Sequence, residues 1–125
     1  MQKAVLIADD NVFTRTALYE FFQREPDFIV CGMAENGREA IEEARGLHPD
    51  LIVLDMTMPV MNGVEAARWL KKIMPEVPLI MYSATNDRIA ERTAKSVGIS
   101  EMISKSQRVS VLIQAARGLV HRKAA

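Results

Sequence analysis

The stretch that decides the fold is His48 to Gly63, "HPDLIVLDMTMPVMNG". Four consecutive apolar residues, Leu51 to Leu54, lead straight into Asp55, and Pro59 and Gly63 follow. A strand with one wet face alternates apolar and polar residues; an unbroken apolar run marks a strand covered on both faces. Asp55 therefore stands past the end of a buried strand and not within it.

Four similar runs lie around it: "AVLIA" (4–8), "FIVCGMA" (28–34), "PLIMY" (78–82) and "EMIS" (101–104). With "LIVL" (51–54) they make five strand candidates. Between them the apolar residues take helical spacing. Ala17, Leu18, Phe21 and Phe22 share one face, Ala40, Ile41, Ala44 and Leu47 a second, and Val64, Ala67, Leu70 and Met74 a third. Ile89, Ala90, Ala94 and Val97 stripe a fourth helix; Val109, Leu112, Ile113, Ala116 and Leu119 stripe a fifth. Pro49, Pro75 and Pro78 separate helix from strand, and Gly98 stands where a left-handed helix cap belongs. Five strand–helix alternations predict an α/β fold: a single parallel sheet, doubly wound, with "AVLIA" and "LIVL" as central strands.

At 125 residues the chain has the size of one domain. Sixteen basic residues balance sixteen acidic ones, so net charge points to neither a nucleic-acid nor a membrane partner. No apolar run approaches the roughly 20 residues of a membrane span, and the first residues do not read as a secretory signal. A cytoplasmic domain is expected. Cys31, the single cysteine, lies in an apolar run and reads as a buried structural thiol.

In an open parallel sheet, ligands bind beyond the carboxyl ends of the strands. Asp9 and Asp10 follow the first strand, Asp55 the third, Ser83 the fourth and Lys105 the fifth. Taken singly, each has an ordinary explanation. Asp9, Asp10 or Asn11 could cap a helix, Asp55 or Ser83 could shape a turn, and Lys105 could be a solvated strand end. Those explanations are independent and do not account for convergence on one rim. Two carboxylates about 4 Å apart repel by about 4 kcal/mol at an effective dielectric near 20. A hard divalent cation with oxygen ligands answers that repulsion, and Mg²⁺ would leave positions open for a phosphate oxygen. With Lys105 and a hydroxyl nearby, the set suits in-line phosphoryl transfer to Asp55 as an acyl phosphate.

These residues carry a family resemblance across nearly the whole chain. The acidic pair Asp9–Asp10, the acceptor Asp55 in "LDMTMPVMNG", Ser83 followed by Ala84, and Lys105 resemble the motif set of response-regulator receiver domains of bacterial two-component signalling. The resemblance implies a flavodoxin-like strand order 2-1-3-4-5 with five helices. It implies Mg²⁺ held by Asp10, Asp55 and the backbone carbonyl of Thr57, with Asp9 acting through water, and Lys105 and Ser83 on the phosphoryl oxygens. The phosphoryl donor would be a sensor histidine kinase, a phosphotransfer protein or a small acyl phosphate. Phosphorylation would move loop 83–88 and the fourth helix, switching the face of helix 4, strand 5 and helix 5 for an effector, an output domain or a homodimer. Arg88, Arg92, Lys95, Arg108 and Arg117, with Val111, would line that face.

"REPDFIVCGMAENGREAIEEA" looks most like receivers of LuxR-type regulators, whose output domain is not found in residues 1–125; a receiver domain over 1–125 is expected, either free-standing or a piece cut at the natural boundary. Two positions depart from the family pattern. Met102 stands where relatives usually have an aromatic residue, and Ser106 replaces the proline that usually follows the lysine. A cis bond before a residue other than proline costs about 2.5–4 kcal/mol, so Lys105–Ser106 is expected trans with an altered loop.

Two other functions compete: a phosphate-independent interaction module, and an aspartate-nucleophile phosphohydrolase. The second usually carries another acid two positions after the nucleophile, where this chain has Thr57. The expectation is thus a phosphorylation switch and not a turnover enzyme. Trp69 and Met74 read as packing residues, Met56, Met58 and Met61 as anchors beside the site, and His48 and His121 as surface groups. The terminal "HRKAA" is expected to fray.

Overall fold

Five strands, β1 (Lys3–Ala8), β2 (Phe28–Ala34), β3 (Leu51–Leu54), β4 (Leu79–Ser83) and β5 (Glu101–Ser104), carry the fold. They alternate with five helices, α1 (Val12–Gln23), α2 (Gly37–Leu47), α3 (Gly63–Ile73), α4 (Arg88–Ser96) and α5 (Val109–Val120). This computed structural model describes residues 1–84 and 87–121. All strand pairs are parallel, in the order β2-β1-β3-β4-β5. Both expected central strands, β1 and β3, are interior.

The unbroken apolar runs have a direct structural reason. Along β1, Leu6 and Ala8 enter one core layer while Val5 and Ile7 enter the other; along β3, Ile52 and Leu54 oppose Leu51 and Val53. One layer is completed by Ala40 and Ala44 of α2, Ala67 and Leu70 of α3 and Ala94 of α4. The other is completed by Leu18 and Phe22 of α1 and Leu112, Ile113 and Ala116 of α5. Each large side chain so buried contributes about 1.5–3 kcal/mol.

Helix starts are held by side chains at the carboxyl rim of the sheet. Asn11, Asn36, Asn62 and Asp87 each accept a first-turn N–H, which fixes the βα loops from which the site is built. Gly98 follows α4 with φ +93°, the left-handed position the sequence assigned it.

Several helical stripes are narrower than expected. Helix α1 buries only Leu18 and Phe22, four residues apart on one line, and leaves Ala17 and Phe21 beside an open groove with Phe13. Leu47 and Ile89 also face outward. Trp69 is not a packing residue: it is 51% exposed, with Lys72 Nζ 5.2 Å from its ring centroid. Met74 is buried as expected, and Met58 lies in the core with Met56 and Met61 packed against it.

Cys31 is only half-buried. Val5 pairs with Val30 and Leu6 with Gly32, so Cys31 is the extra residue of a bulge in edge strand β2. Burial still pushes its thiol up, away from the reactive thiolate. Arg117 does not stand on the open α4–α5 face: its guanidinium bonds Asp27 (2.7 and 2.9 Å) and Glu25 (2.7 Å). His121 joins this cluster with Nε2 3.0 Å from Asp27. Of the terminal residues expected to fray, 122–125 lie outside the described residues, as do positions 85 and 86 of loop 83–88.

Candidate functional site

The parallel sheet delivers all of the predicted site residues to one rim. Asp9 and Asp10 leave β1, Asp55 leaves β3, Ser83 ends β4 and Lys105 leaves β5. A pocket of about 470 Å³ is lined by Asp10, Asn11, Asp55, Thr57, Ser83, Ala84 and Lys105. Asp9 lies beneath it, buried, with one carboxylate oxygen accepting the Asn11 N–H at 2.9 Å.

The electrostatics are tight. One carboxylate oxygen from each of Asp9, Asp10 and Asp55 lies within 4.8 Å of the others. Lys105 Nζ donates to Asp9 Oδ2 at 2.8 Å and lies 3.3 Å from Asp55 Oδ2. Burial and the charge of Asp9 raise the Asp55 pKa above the ordinary carboxylate value, against the pull of Lys105 and the Thr57 N–H. Burial works against the charge of Lys105, but the Asp9 hydrogen bond and the neighbouring Asp55 charge outweigh it and raise its pKa. One cation thus faces three carboxyl groups, a deficit that favours a further cation.

The donor set fits Mg²⁺. All candidate ligands are oxygens, and Thr57 stands at the pocket wall beside Asp10 and Asp55. Ligands about 2.1 Å from an octahedral ion lie roughly 3–4 Å apart, so the observed spread needs only slight closing or one intervening water.

Three features escape a reading of the sequence. Gly63 opens α3 directly against the backbone of Asp55: a Cβ there would lie 3.0 Å from the Asp55 carbonyl carbon and closer still to its oxygen. Arg15 of α1 donates to the Asp9 carbonyl oxygen at 2.6 Å and lies 3.6 Å from Glu35, tying the acidic turn to the β2–α2 loop. Val60 has φ +68°, and Met61 N–H donates to Pro59 O across it at 2.7 Å, a strained γ-turn in the loop after Asp55. An Asn–Gly dipeptide such as Asn62–Gly63 is a general turn signal, but the contact with Asp55 could not be read from residue types.

Met102 is partly buried against the core layer of α2, α3 and α4, and lines a cavity of about 970 Å³ with residues of α3 and α4. No cis peptide occurs among the described residues, so Lys105–Ser106 is trans as expected.

The comparisons with known proteins bear on the family and the fold. A family model described as response regulator receiver domain matches residues 5–117. The chemotaxis protein CheY of Thermotoga maritima is 36% identical over 115 residues, which cover 92% of this chain and 95% of that protein. A protein-glutamate methylesterase/protein-glutamine glutaminase of Geobacillus kaustophilus is 40% identical over 103 residues, 81% of this chain. The match spans only 29% of that longer relative. Among solved structures, the response regulator domain of Thermotoga maritima CheB superposes with a TM-score of 0.90 at 29% identity, covering 99% of this chain and 100% of that one. No helix among the described residues is long and apolar enough to cross a membrane.

Proposed function

The chain belongs to the response regulator receiver family, and on that premise we propose that Asp55 is its phosphoacceptor. The observation that carries the reading is the position of Asp55: past the end of a buried strand, at a pocket, with Lys105 3.3 Å away and Asp9 and Asp10 alongside. A carboxylate oxygen of Asp55 attacks the phosphorus of a phosphohistidine or a small acyl phosphate. The new P–O bond forms as the P–N or P–O bond to the donor breaks, and the electron pair leaves with the donor. Asp10, Asp55 and the Thr57 carbonyl, with Asp9 through water, would hold Mg²⁺, which when bound neutralises charge on the phosphoryl oxygens. Lys105 supplies the second positive charge and Ser83 a hydroxyl donor from the end of β4.

The donor partner is a sensor histidine kinase or phosphotransfer protein, in line with the family. The phosphorylated site draws Ser83 and Lys105 inward and shifts the α4–β5–α5 face for an effector, an output domain or a second copy. Such a switch needs about 5.5 kcal/mol of differential stabilisation to go from 1:99 to 99:1. The chain modifies itself and turns over no external substrate. Residues 1–125 act as one receiver domain, in the cytoplasm; a CheY relative matched over 95% of its length supports the single-domain reading. Regulation of transcription through an attached output domain belongs to the same proposal.

Acetyl phosphate with Mg²⁺ tests the reading by intact mass. One added phosphoryl mass on the wild type and none on Asp55→Ala is the expected result. An unlabelled wild type, or equal labelling of both, overturns it.

A further inference from the structure

The lysine has an unusual reach to make. In the order β1-β3-β4-β5, strand β5 is three steps from β1, about 14 Å at the usual strand spacing of about 4.8 Å. An extended lysine side chain, the 2.8 Å hydrogen bond to Asp9 Oδ2 and the Asp9 side chain together only just span that distance. The contact therefore has little slack and depends on the path of the chain after β5.

What sets that path is a closed turn. Lys105 N–H donates to Ser83 O at 2.8 Å, one rung beyond the paired Ser83 and Ser104. Beyond that rung, Ser106 N–H donates to Ser104 Oγ at 3.1 Å, and the two serine hydroxyls lie 2.7 Å apart. Ser104 N–H donates to Gln107 Oε1 at 3.3 Å, and Gln107 N–H returns to Ser104 O at 3.1 Å. Ser104 is the hub of all four bonds, is itself buried, and shares none of them with the pocket. Proline at 106 would have no N–H to give Ser104, so the turn is built for a residue with a donor there.

The geometry points to Ser104 as a positioning residue for phosphoryl binding, acting with Ser106 and Gln107 to aim Lys105. This rests on the proposed role of Lys105 at the phosphoryl group. Ser104 touches neither acid nor phosphoryl oxygen; it sets where the Lys105 backbone leaves the sheet. Without the turn, Lys105 keeps its charge but samples more of the rim, and the ordering has to be done when the phosphoryl group binds. Ligand affinity then falls while the carboxylate cluster is unchanged.

The test uses fluoroberyllate as the phosphoryl mimic and Mg²⁺ alone as a separate probe, both followed by NMR titration. In Ser104→Ala, which removes the Ser104 Oγ bonds to the Ser106 N–H and to the Ser106 hydroxyl, the fluoroberyllate Kd is expected to rise about five-fold. The Mg²⁺ Kd should stay within about two-fold of wild type, while any fall in the unfolding midpoint reads the stability of the turn and not the aim of Lys105. Ser104→Thr keeps the hydroxyl and should restore fluoroberyllate binding, while Gln107→Ala should lie between. The Lys105 ammonium signal, read without any phosphoryl mimic, should be sharp in the wild type and exchange-broadened in Ser104→Ala. Equal fluoroberyllate affinity and an unchanged ammonium signal in Ser104→Ala overturn the positioning role. A wild type that binds no fluoroberyllate strikes the phosphoacceptor reading instead, and the ammonium signal then still decides whether the turn aims Lys105.

Discussion

Gly63→Ala should damage the fold and the site together. The added Cβ would lie 3.0 Å from the Asp55 carbonyl carbon, 3.1 Å from the Met56 Cα and nearer still to the Asp55 oxygen. Carbon atoms pack comfortably at about 3.5–4.0 Å, and all three obstacles are backbone, with no rotamer to turn aside. The start of α3 has to retreat by on the order of 1 Å, which strains the Gly63 N–H bond to Met56 O and the Asn62 cap on Glu65. Overpacking of this kind costs about 1–3 kcal/mol. Because the clash falls on the peptide of Asp55 itself, the carboxylate moves with it, and a misplacement near 1 Å can cost about 100-fold in rate.

Urea denaturation and acetyl phosphate labelling measure the two effects on the same protein. Gly46→Ala and Gly118→Ala serve as controls. Both positions are helical with open space around the built Cβ, so both should stabilise by about 0.4–1 kcal/mol. A Gly63→Ala variant within about 0.5 kcal/mol of wild type that labels at the wild-type rate would refute the reasoning.

Val60→Gly should stabilise the protein by about 1 kcal/mol in urea denaturation, since a β-branched residue is held at φ +68° on an exposed turn. Lys105→Met removes the ammonium shared by Asp9 and Asp55. It should cost about 2 kcal/mol without metal, less than the loss of a fully buried pair because the pocket is open to water. Its thermal shift on adding Mg²⁺ should exceed that of the wild type; an equal shift would mean that Lys105 does not offset the acid cluster. The Arg117 fork and His121 hold the Asp27 pKa well below the usual carboxylate range, against desolvation. A depressed folded pKa contributes stability above the unfolded value of about 3.9, lost as pH falls through the folded one. Asp27→Asn should therefore be less stable at pH 7, by about 1 kcal/mol for a partly exposed bidentate pair, with the gap narrowing below pH 4. A gap unchanged down to pH 2 would show that Asp27 contributes nothing through its charge.

The sheet was legible because its central strands are apolar without interruption, a pattern that a two-layer core imposes on Val5 to Ala8 of β1 and on all of β3. The site was legible for the same reason, since the polar residue that ends each such run has to sit on the rim. What failed was the width of the helical stripes. Phe21 and Ala17 lie one position from Leu18 and Phe22, and spacing alone cannot tell a side chain in the core from one at its margin. Trp69 misled because its size suggests burial, whereas its ring lies on the outer side of α3, half exposed, with Lys72 beside it. Gly63, Val60 and the Ser104 turn are contacts between backbone and neighbour, and composition carries no trace of them.

The unfavourable features of the molecule gather in one place. Among the described residues, buried acids are confined to Asp9 and Asp55, and of the two residues other than glycine with positive φ, Val60 lies in the loop from Asp55 to α3. The rest of the fold follows the local rules, with a side-chain cap on four of five helices and no buried side-chain polar atom lacking a partner among the described residues. Strain and repulsion at the rim persist because two apolar layers over-determine the strands that carry it. That distribution has a functional consequence. A ligand that neutralises the acids gains free energy from relieving a repulsion the apo fold already bears, so binding at the rim is coupled to loop geometry from the outset. Lys105 joins the two, because its Nζ bonds Asp9 while its backbone leaves β5 at the Ser104 turn. Met102 lies two residues before Ser104 on β5, against the layer that includes α4, so the strand that aims the lysine also borders the face proposed to switch.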